Sequence, residues 1–307
     1  MTLNWTQTTN CDQLRTFLNA NLPVDNIYLI KPNWFDPRPG SFTSAATLDL
    51  ISSALPGKKI IIEGHSHSRN DLSLKITPEN MDNQREWIRA QEKKYLDRTG
   101  IAEVLARHKI EYINITEEFW AGKVMPGERI KLQVKKNFGP LVYPEFYTFI
   151  PEKLFALRNH TLIDLAKIKI CSPTSKDFSL SLKNLFGLIP YPSRLKYHTN
   201  LPQAIIDINK VYCSLFNVIA VIEGINEAVV FNKTGPYQTP WSHFDVLKDL
   251  GLVITSDNLV TADVFCGRLL GQDLLSRTLI KLGQQTFGPV VHDLLAQAPL
   301  LFDISKV

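Results

Sequence analysis

The sequence predicts an α/β fold in two lobes, with parallel or mixed sheets flanked by helices. Short β-branched runs at residues 26–30 and 58–62 flank an apolar helical pattern at residues 45–55, which is the spacing of a right-handed β-α-β unit. The second half of the chain repeats this alternation of strands and helices. With 44% hydrophobic and 21% charged residues, the 307-residue chain also has ample material for a core.

Hydrophobic periodicity predicts the other elements. In the first half these are helices at 78–96 and 101–108 and strands at 111–115 and 129–134. In the second half they are strands at 162–170, 217–222 and 252–255 and helices at 204–215, 262–270 and 274–282. Proline and glycine pairs at 126–127 and 139–140, with Pro144 and Pro151, break the chain repeatedly. We therefore divide it near residue 150, into N-terminal (1–150) and C-terminal (151–307) α/β lobes.

The charge balance argues against nucleic-acid and membrane-surface partners. Lys and Arg total 34 against 30 Asp and Glu, a net charge of only +4. The basic excess is concentrated in residues 153–210, where nine basic residues face three acidic ones. Residues 1–22 lack a basic stretch followed by an apolar block, and no apolar run is long enough to span a membrane, so a cytoplasmic protein is expected. The four cysteines are too scattered for a C-x-x-C metal signature.

Unusual polar residues fall where the predicted strands end. Lys31 and Asn33 follow the first strand, Glu63 follows the second, and Glu223 and Asp257 follow two later ones. Because ligands collect at the carboxyl ends of parallel strands, these residues predict a shared cleft. Individually, each is also compatible with a surface turn, and Asp257 with a helix N-cap.

Two histidines and three lysines are candidates for chemistry. His65 and His67 alternate along an extended segment, so both imidazoles can reach one metal; the alternative is a solvated loop. Period two in the predicted strand at 162–170 places Lys167, Lys169 and the following Cys171 on one face, unless the lysines only protect a sheet edge. Lys183 lies in a nearly apolar run, where a lysine must find a partner or lose its proton.

Several motifs resemble, in order, those of the domain of unknown function 362 family, many of whose members carry ferredoxin-like iron–sulfur modules. They are Lys31-Pro32-Asn33, Lys167-x-Lys169, the run SLKNLFGLIP at 181–190, Tyr197-His198, Gly235-Pro236, Asp257, Ala262-Asp263 and Leu270-Gly271. The resemblance extends from about residue 26 to residue 282. Two positions depart from it: Cys171 stands where the family usually has histidine, and Glu223 where it usually has aspartate. No ferredoxin module is present, so no built-in iron–sulfur cluster is expected.

A more distant similarity, to nickel-pincer lactate racemases, concerns the order of three residues. Those enzymes have a histidine, a cofactor-attached lysine and a nickel-ligating histidine, and the corresponding positions here are Cys171, Lys183 and His198. Both families also place a histidine-bearing turn after an early strand, as at His65. The similarity implies a transition metal, nickel, zinc or iron, held by histidine or thiolate.

Together these observations predict a small-molecule enzyme that binds an anionic carboxylate or phosphate in a lysine-lined cleft between the lobes, with metal- or cofactor-dependent isomerase or oxidoreductase chemistry. The alternative is a non-catalytic protein that binds an anion or cofactor. Candidate catalytic residues are Lys183, His198, Glu63 and Asp257. Candidate substrate-binding residues are Lys31, Asn33, Lys167, Lys169, Asn184, Glu223 and Gly235. Candidate metal ligands are His198, Cys171, His65 and His67.

Overall fold

The predicted α/β class is confirmed, with two mixed sheets flanked by helices. The structure is a computed structural model that describes residues 2–66, 69, 82–171, 178–231, 235–238, 243–296 and 298–302; at residues 82 and 171 it describes the backbone alone. The strands are β1 (Leu3–Gln7), β2 (Ile27–Lys31), β3 (Lys58–Glu63), β4 (Glu111–Asn114), β5 (Thr161–Lys167), β6 (Lys169–Cys171), β7 (Phe178–Ser179), β8 (Asn217–Gly224), β9 (Glu227–Phe231), β10 (Tyr237–Gln238), β11 (His243–Lys248) and β12 (Leu252–Ser256).

The helices surround these strands in chain order. They are α1 (Cys11–Asn21), α2 (Ala45–Ala54), α3 (Arg85–Arg98), α4 (Ile101–Arg107), α5 (Ile115–Trp120), α6 (Gly127–Val134), α7 (Glu152–Ala156), α8 (Ser181–Asn184), α9 (Leu201–Leu215), α10 (Leu259–Leu269), α11 (Thr278–Phe287) and α12 (His292–Ala296). None of the helices in the described residues is long and apolar enough to cross a membrane.

The larger sheet has the order β1-β12-β8-β5-β2-β3-β4. Its strands from β8 to β4 are parallel, while β12 runs antiparallel to both β8 and β1. The smaller sheet has the order β10-β11-β9-β6-β7 and is mixed, because β6 pairs parallel with β9 and antiparallel with β7. The carboxyl ends of β2, β3, β5 and β8 therefore meet at one edge of the larger sheet.

Side-chain alternation along the parallel strands builds a core on each face of the larger sheet. Leu29 and Ile60 join one apolar cluster, and their neighbours Ile30 and Ile61 join the other. Helices α6, α9 and α10 cover the first face, and α1, α2 and α4 cover the second. Burial on both faces explains why residues 27–30 and 60–62 of these strands are aliphatic or aromatic throughout.

The sheet continues across the predicted lobe boundary. Strands β1 to β4 precede residue 150 and β5, β8 and β12 follow it, yet all seven belong to the larger sheet. The division into 1–150 and 151–307 is therefore not a division between the two sheets. The smaller sheet instead takes all its strands from residues 169–248.

Two predicted strands are wrong in different ways. Residues 129–134 belong to helix α6, where buried Ile130 and Val134 lie one turn apart and Leu132 is exposed. The predicted strand 162–170 is two strands, since the chain leaves the larger sheet at Ile168. The Ile168 amide donates to Glu223 O of β8, whereas its carbonyl accepts from Val229 N of β9. The helix predicted at 78–96 is observed from Arg85; residues 70–81 lie outside the described part.

Candidate functional site

A cavity of about 610 Å³ lies between the two sheets. The larger sheet contributes Lys31 and Glu63, from the carboxyl ends of β2 and β3, and the turns that follow these strands. The smaller sheet contributes Lys169 of β6 and side chains of β7, β9 and β11. Helix α8 and the segment after it complete the wall with Lys183 and Asn184, among others. Such a position, outside the carboxyl ends of parallel strands, is where α/β sheets bind ligands.

A hydrogen-bonded network connects the strand ends to the smaller sheet along one side of the cavity. Lys31 Nζ donates to Glu63 Oε2 at 2.9 Å and to Asn184 Oδ1 at 3.4 Å. Asn33 Nδ2 donates to the same Asn184 oxygen at 3.0 Å, and Asn33 Oδ1 accepts from Lys169 Nζ at 2.6 Å. All five side chains are buried, so the network fixes their positions relative to one another.

Two buried aspartates hold helix α8 in place. Asp263 accepts from the backbone amides of Ser181 (2.8 Å) and Leu182, and Asp164 accepts from Ser181 Oγ and from Asn184 Nδ2 (2.7 Å). Burial raises the pKa of Asp164 to about 7 despite these hydrogen bonds, and it raises the pKa of Asp263 as well. Both aspartates thus position Asn184 without lining the cavity.

The glycine of the SLKNLFGLIP run, Gly187, lies close to the Lys31–Glu63 ion pair. A Cβ atom at this position would lie 2.8 Å from Lys31 Nζ and 3.1 Å from Glu63 Oε1. Only a residue without a side chain lets the α8 segment approach the Lys31–Glu63 pair this closely.

Positive charge exceeds negative charge in the cavity wall. The cationic lining residues are Lys31, Arg38, Arg69, Lys169, Lys183 and Arg194, and the anionic ones are Asp36 and Glu63. Three cations have carboxylate partners: Lys31 has Glu63, Arg38 has Asp36, and Arg69 has Glu92, which lies behind the wall. The other three are Lys169, Lys183 and Arg194.

Among the residues that the structure describes, no carboxylate is in contact with these three cations. Lys169 Nζ is bonded to the neutral oxygens of Asn33 and of the Ser41 backbone, and the Arg194 guanidinium to backbone carbonyls that include Gly187 O at 2.7 Å. The ammonium group of half-buried Lys183 makes no hydrogen bond or ion pair within the part of the chain that the structure describes. Three cationic side chains therefore face the cavity without a described carboxylate in contact.

Burial weakens the protonation of two of these groups. It lowers the pKa of Lys169 to about 7, against the attraction of Asp36 and with repulsion from Lys183 and other lysines. It also lowers the pKa of Arg194 to about 10, although Glu63 acts in the opposite direction. A Lys169 amine that exchanges its proton near neutral pH is suited to acid–base chemistry, and an anion beside it would restore its charge.

The structure brings seven of the predicted site residues to this cavity, namely Lys31, Asn33, Glu63, Lys169, Lys183, Asn184 and His198. Lys167 and Glu223 do not line it. They form a buried ion pair (3.0 Å) between neighbouring strands β5 and β8, because the chain changes sheets between Lys167 and Lys169. The pair lies at the same sheet edge but behind the wall.

Two predicted residues lie elsewhere. Gly235 packs against the backbone of Phe244, which a Cβ would meet at 2.2 Å, so its contribution is to the smaller sheet. Asp257 is exposed and accepts from Thr2 N at 2.7 Å; since β12 is antiparallel to β8, its carboxyl end lies at the opposite edge of the sheet. The N-cap of α10 is Asn258, whose side chain accepts from Thr261 N.

His65 belongs to a buried ionic network instead of the cavity wall. Its Nε2 lies 2.9 Å from Glu117 Oε1, its Nδ1 lies 3.5 Å from Glu92 Oε2, and Arg69 also binds Glu92. Burial opposes a charge on His65, but the hydrogen bonds to Glu117 and Glu92 outweigh it and raise the pKa. The same network lowers the pKa of Glu92 and of Glu117 to about 2, against their burial.

The described residues do not assemble the predicted metal centre. Among them no group of three His, Cys, Asp or Glu side chains is arranged to hold a metal ion. His198 is exposed at the cavity and packs near Phe186, whereas His65 faces the carboxylates behind Arg69. His67 and the side chain of Cys171 lie outside the described residues.

Arg69 and Arg194 are the principal site residues that the sequence did not indicate. Both are almost fully buried, and both guanidinium groups donate to backbone carbonyls of the loops around the cavity. Arg69 donates to Gly64 O, and Arg194 donates to His65 O and Gly187 O. The one local sequence signal for Arg194 is the proline-rich stretch that contains it. Backbone carbonyls in such an irregular stretch lack regular partners, so they need a donor such as a guanidinium.

The fold and the cavity define an α/β protein with a cationic site at the carboxyl ends of a parallel sheet. The chain belongs to the family described as domain of unknown function (DUF362), whose profile matches residues 29–268. The family assignment from the sequence motifs is thereby confirmed, and the matched segment contains every residue of the cavity wall. Among curated proteins and solved structures, nothing matches the chain.

Proposed function

We propose that this chain is an enzyme that binds a small anionic substrate, a carboxylate or phosphate, in the cavity between its two sheets. The observation that carries the proposal is the group of three cations, Lys169, Lys183 and Arg194, that face the cavity with no carboxylate in contact among the described residues. Gathering like charges in a buried site is unfavourable unless an anion joins them, which makes the group a binding site for negative charge. A cavity of this volume between two sheets favours a small molecule over nucleic acid, whose backbone needs a long groove.

The three cations have different environments and therefore different proposed roles. Lys183 and Arg194 hold the anion, as an ammonium and a fixed guanidinium respectively. Lys169 transfers a proton at an atom beside the bound anion, because its pKa of about 7 places both protonation states within reach at neutral pH. Asn33 and Asn184 keep Lys169 aligned through the hydrogen-bonded network.

Metal chemistry is not part of this proposal. The two carboxylates of the wall, Asp36 and Glu63, each face a cation, and His198 is the one imidazole in the described lining. A lining with more cationic than anionic side chains and a single imidazole suits an anion better than a metal ion.

Titration with inorganic phosphate tests the binding step. We expect Lys183→Ala to weaken phosphate binding about 10- to 100-fold, the usual effect of removing one charged hydrogen-bond partner. Lys135→Ala, which removes an exposed lysine at the end of α6, is the matched control and should bind as the wild type does. Equal affinity in all three proteins would place the phosphate outside the cavity and contradict the proposal.

Proton transfer is tested separately. In D₂O, deuterium should enter the carbon next to the carbonyl of pyruvate or phenylpyruvate faster with the wild type than with Lys169→Gln, as followed by NMR. Phosphate binding in the wild type without exchange in either compound would favour the alternative, a non-catalytic anion-binding protein.

A further inference from the structure

The cavity also has apolar lining, much of it contributed by the smaller sheet. Val229 and Phe231 alternate along β9 and so project from the same face of the smaller sheet. Phe244 of β11 lies opposite Phe231 in register, and the two ring centroids are 6.0 Å apart. All three line the cavity, together with Phe178 of β7. The smaller sheet thus forms an apolar, largely aromatic part of the wall, in which Phe231 keeps more open surface than Phe178 or Phe244.

Two of the aromatic rings are incompletely covered by the protein. Phe35 is 37% exposed although its neighbours Trp34 and Asp36 are 1% and 2% exposed. Phe231 is half buried. A ligand that covered this open apolar surface would gain the free energy of burying it.

Cationic and aromatic groups adjoin within the cavity. Lys169 Nζ lies 5.5 Å from the centroid of the Phe35 ring, and Lys169 pairs with Val229 across β6 and β9. An anion in contact with Lys169 would therefore have an aromatic surface directly beside it.

The size of the cavity also excludes a very small anion as its full occupant. One water molecule takes up about 30 Å³ in the liquid, and a phosphate or acetate ion only a few times that. A volume of about 610 Å³ is instead typical of sites for ligands with a substantial organic body.

We propose that the substrate is an aromatic anion, whose negative group binds Lys169, Lys183 and Arg194 and whose ring packs against Phe35 and Phe231. This inference rests on the proposed anion site and adds the chemical class of the ligand. Aromatic rings favour edge-to-face or offset contacts with one another, so an aryl group gains more from this wall than an aliphatic chain of equal area.

Comparing phenyl phosphate, inorganic phosphate and phenol by calorimetric titration separates the two parts of the ligand. Phenyl phosphate should bind roughly 10- to 100-fold more tightly than inorganic phosphate, the range expected for burying one aromatic ring. Phe231→Ala should remove most of that advantage while leaving inorganic phosphate binding unchanged. Phe35→Leu, at a more exposed position, should reduce it with little risk to folding. Phe17→Ala, which removes a half-buried aromatic ring on α1, is the matched control and should preserve it.

Each result has a different meaning. Equal affinities for the two phosphates would overturn the aromatic inference and leave the proposed anion site intact. Binding of phenol as tightly as phenyl phosphate would show that the anionic group contributes nothing, which contradicts both proposals. Absence of binding for both phosphates would also contradict both.

Discussion

Glu63→Gln should strongly destabilise the protein, because it leaves a buried ammonium without its counter-charge. Lys31 Nζ and Glu63 Oε2 lie 2.9 Å apart, and their side chains are 2% and 3% exposed. After the substitution the ammonium retains the neutral acceptors Pro32 O and Asn184 Oδ1. Removing one member of a buried ion pair costs about 3–5 kcal/mol of unfolding free energy. Urea denaturation, followed by circular dichroism, measures the loss.

A double-mutant cycle separates the ionic interaction from general damage. Lys31→Met combined with Glu63→Gln should cost less than the sum of the single changes, since neither charge is then left alone. The matched control is the surface pair Lys58–Glu111 of β3 and β4, whose side chains are 54% and 47% exposed; its disruption should cost under about 1 kcal/mol. Additive single effects, or a loss no larger than in the surface pair, would refute the reasoning.

The Glu63→Gln defect should also depend on pH. Burial lowers the pKa of Lys31, against the attraction of Glu63, so loss of that carboxylate lowers it further. The unfolded chain then binds more protons than the folded one, and the unfolding free energy of the variant rises with pH relative to that of the wild type. A constant difference from neutral to alkaline pH would contradict this assignment.

Three further predictions concern neighbouring groups. Gly187→Ala should reduce the unfolding free energy by about 1–3 kcal/mol in urea titrations, because its Cβ would displace the buried Lys31 amine. The raised pKa of His65 gives stability that is full below its ordinary pKa and is lost as pH rises through the folded-state value. His65→Gln should therefore flatten the decline of stability as pH rises above the ordinary histidine pKa of 6.5. Burial raises the pKa of Asp164 from 3.8 to about 7, so stability should be lost as pH rises across that interval, and Asp164→Asn should lack this loss.

Much of the fold could be predicted because the central strands are locally specified. Residues 27–30 and 60–62 are all aliphatic or aromatic, and the runs at 26–30 and 58–62 that contain them form β2 and β3 as expected. The polar residues at their ends, Lys31 and Glu63, come together because parallel neighbours place their carboxyl ends at one edge. The motifs around Lys183 and Asn184 likewise indicated a segment that reaches this edge.

Other features depend on distant parts of the chain. In residues 129–134, Ile130, Leu132 and Val134 alternate like a strand, and only packing against other helices selects the helix. The switch between sheets at Ile168 depends on β9, some sixty residues later, and the location of Asp257 depends on the antiparallel direction of β12. No local pattern encodes either.

The most direct test of an anion site in the cavity is bromide anomalous scattering from crystals of the protein soaked in sodium bromide. We expect bromide inside the cavity, in contact with Lys183 and Arg194, and we expect that site to be lost in Lys183→Ala while sites on the outer surface persist. Bromide confined to the outer surface in the wild-type crystals would contradict an anion-binding cavity.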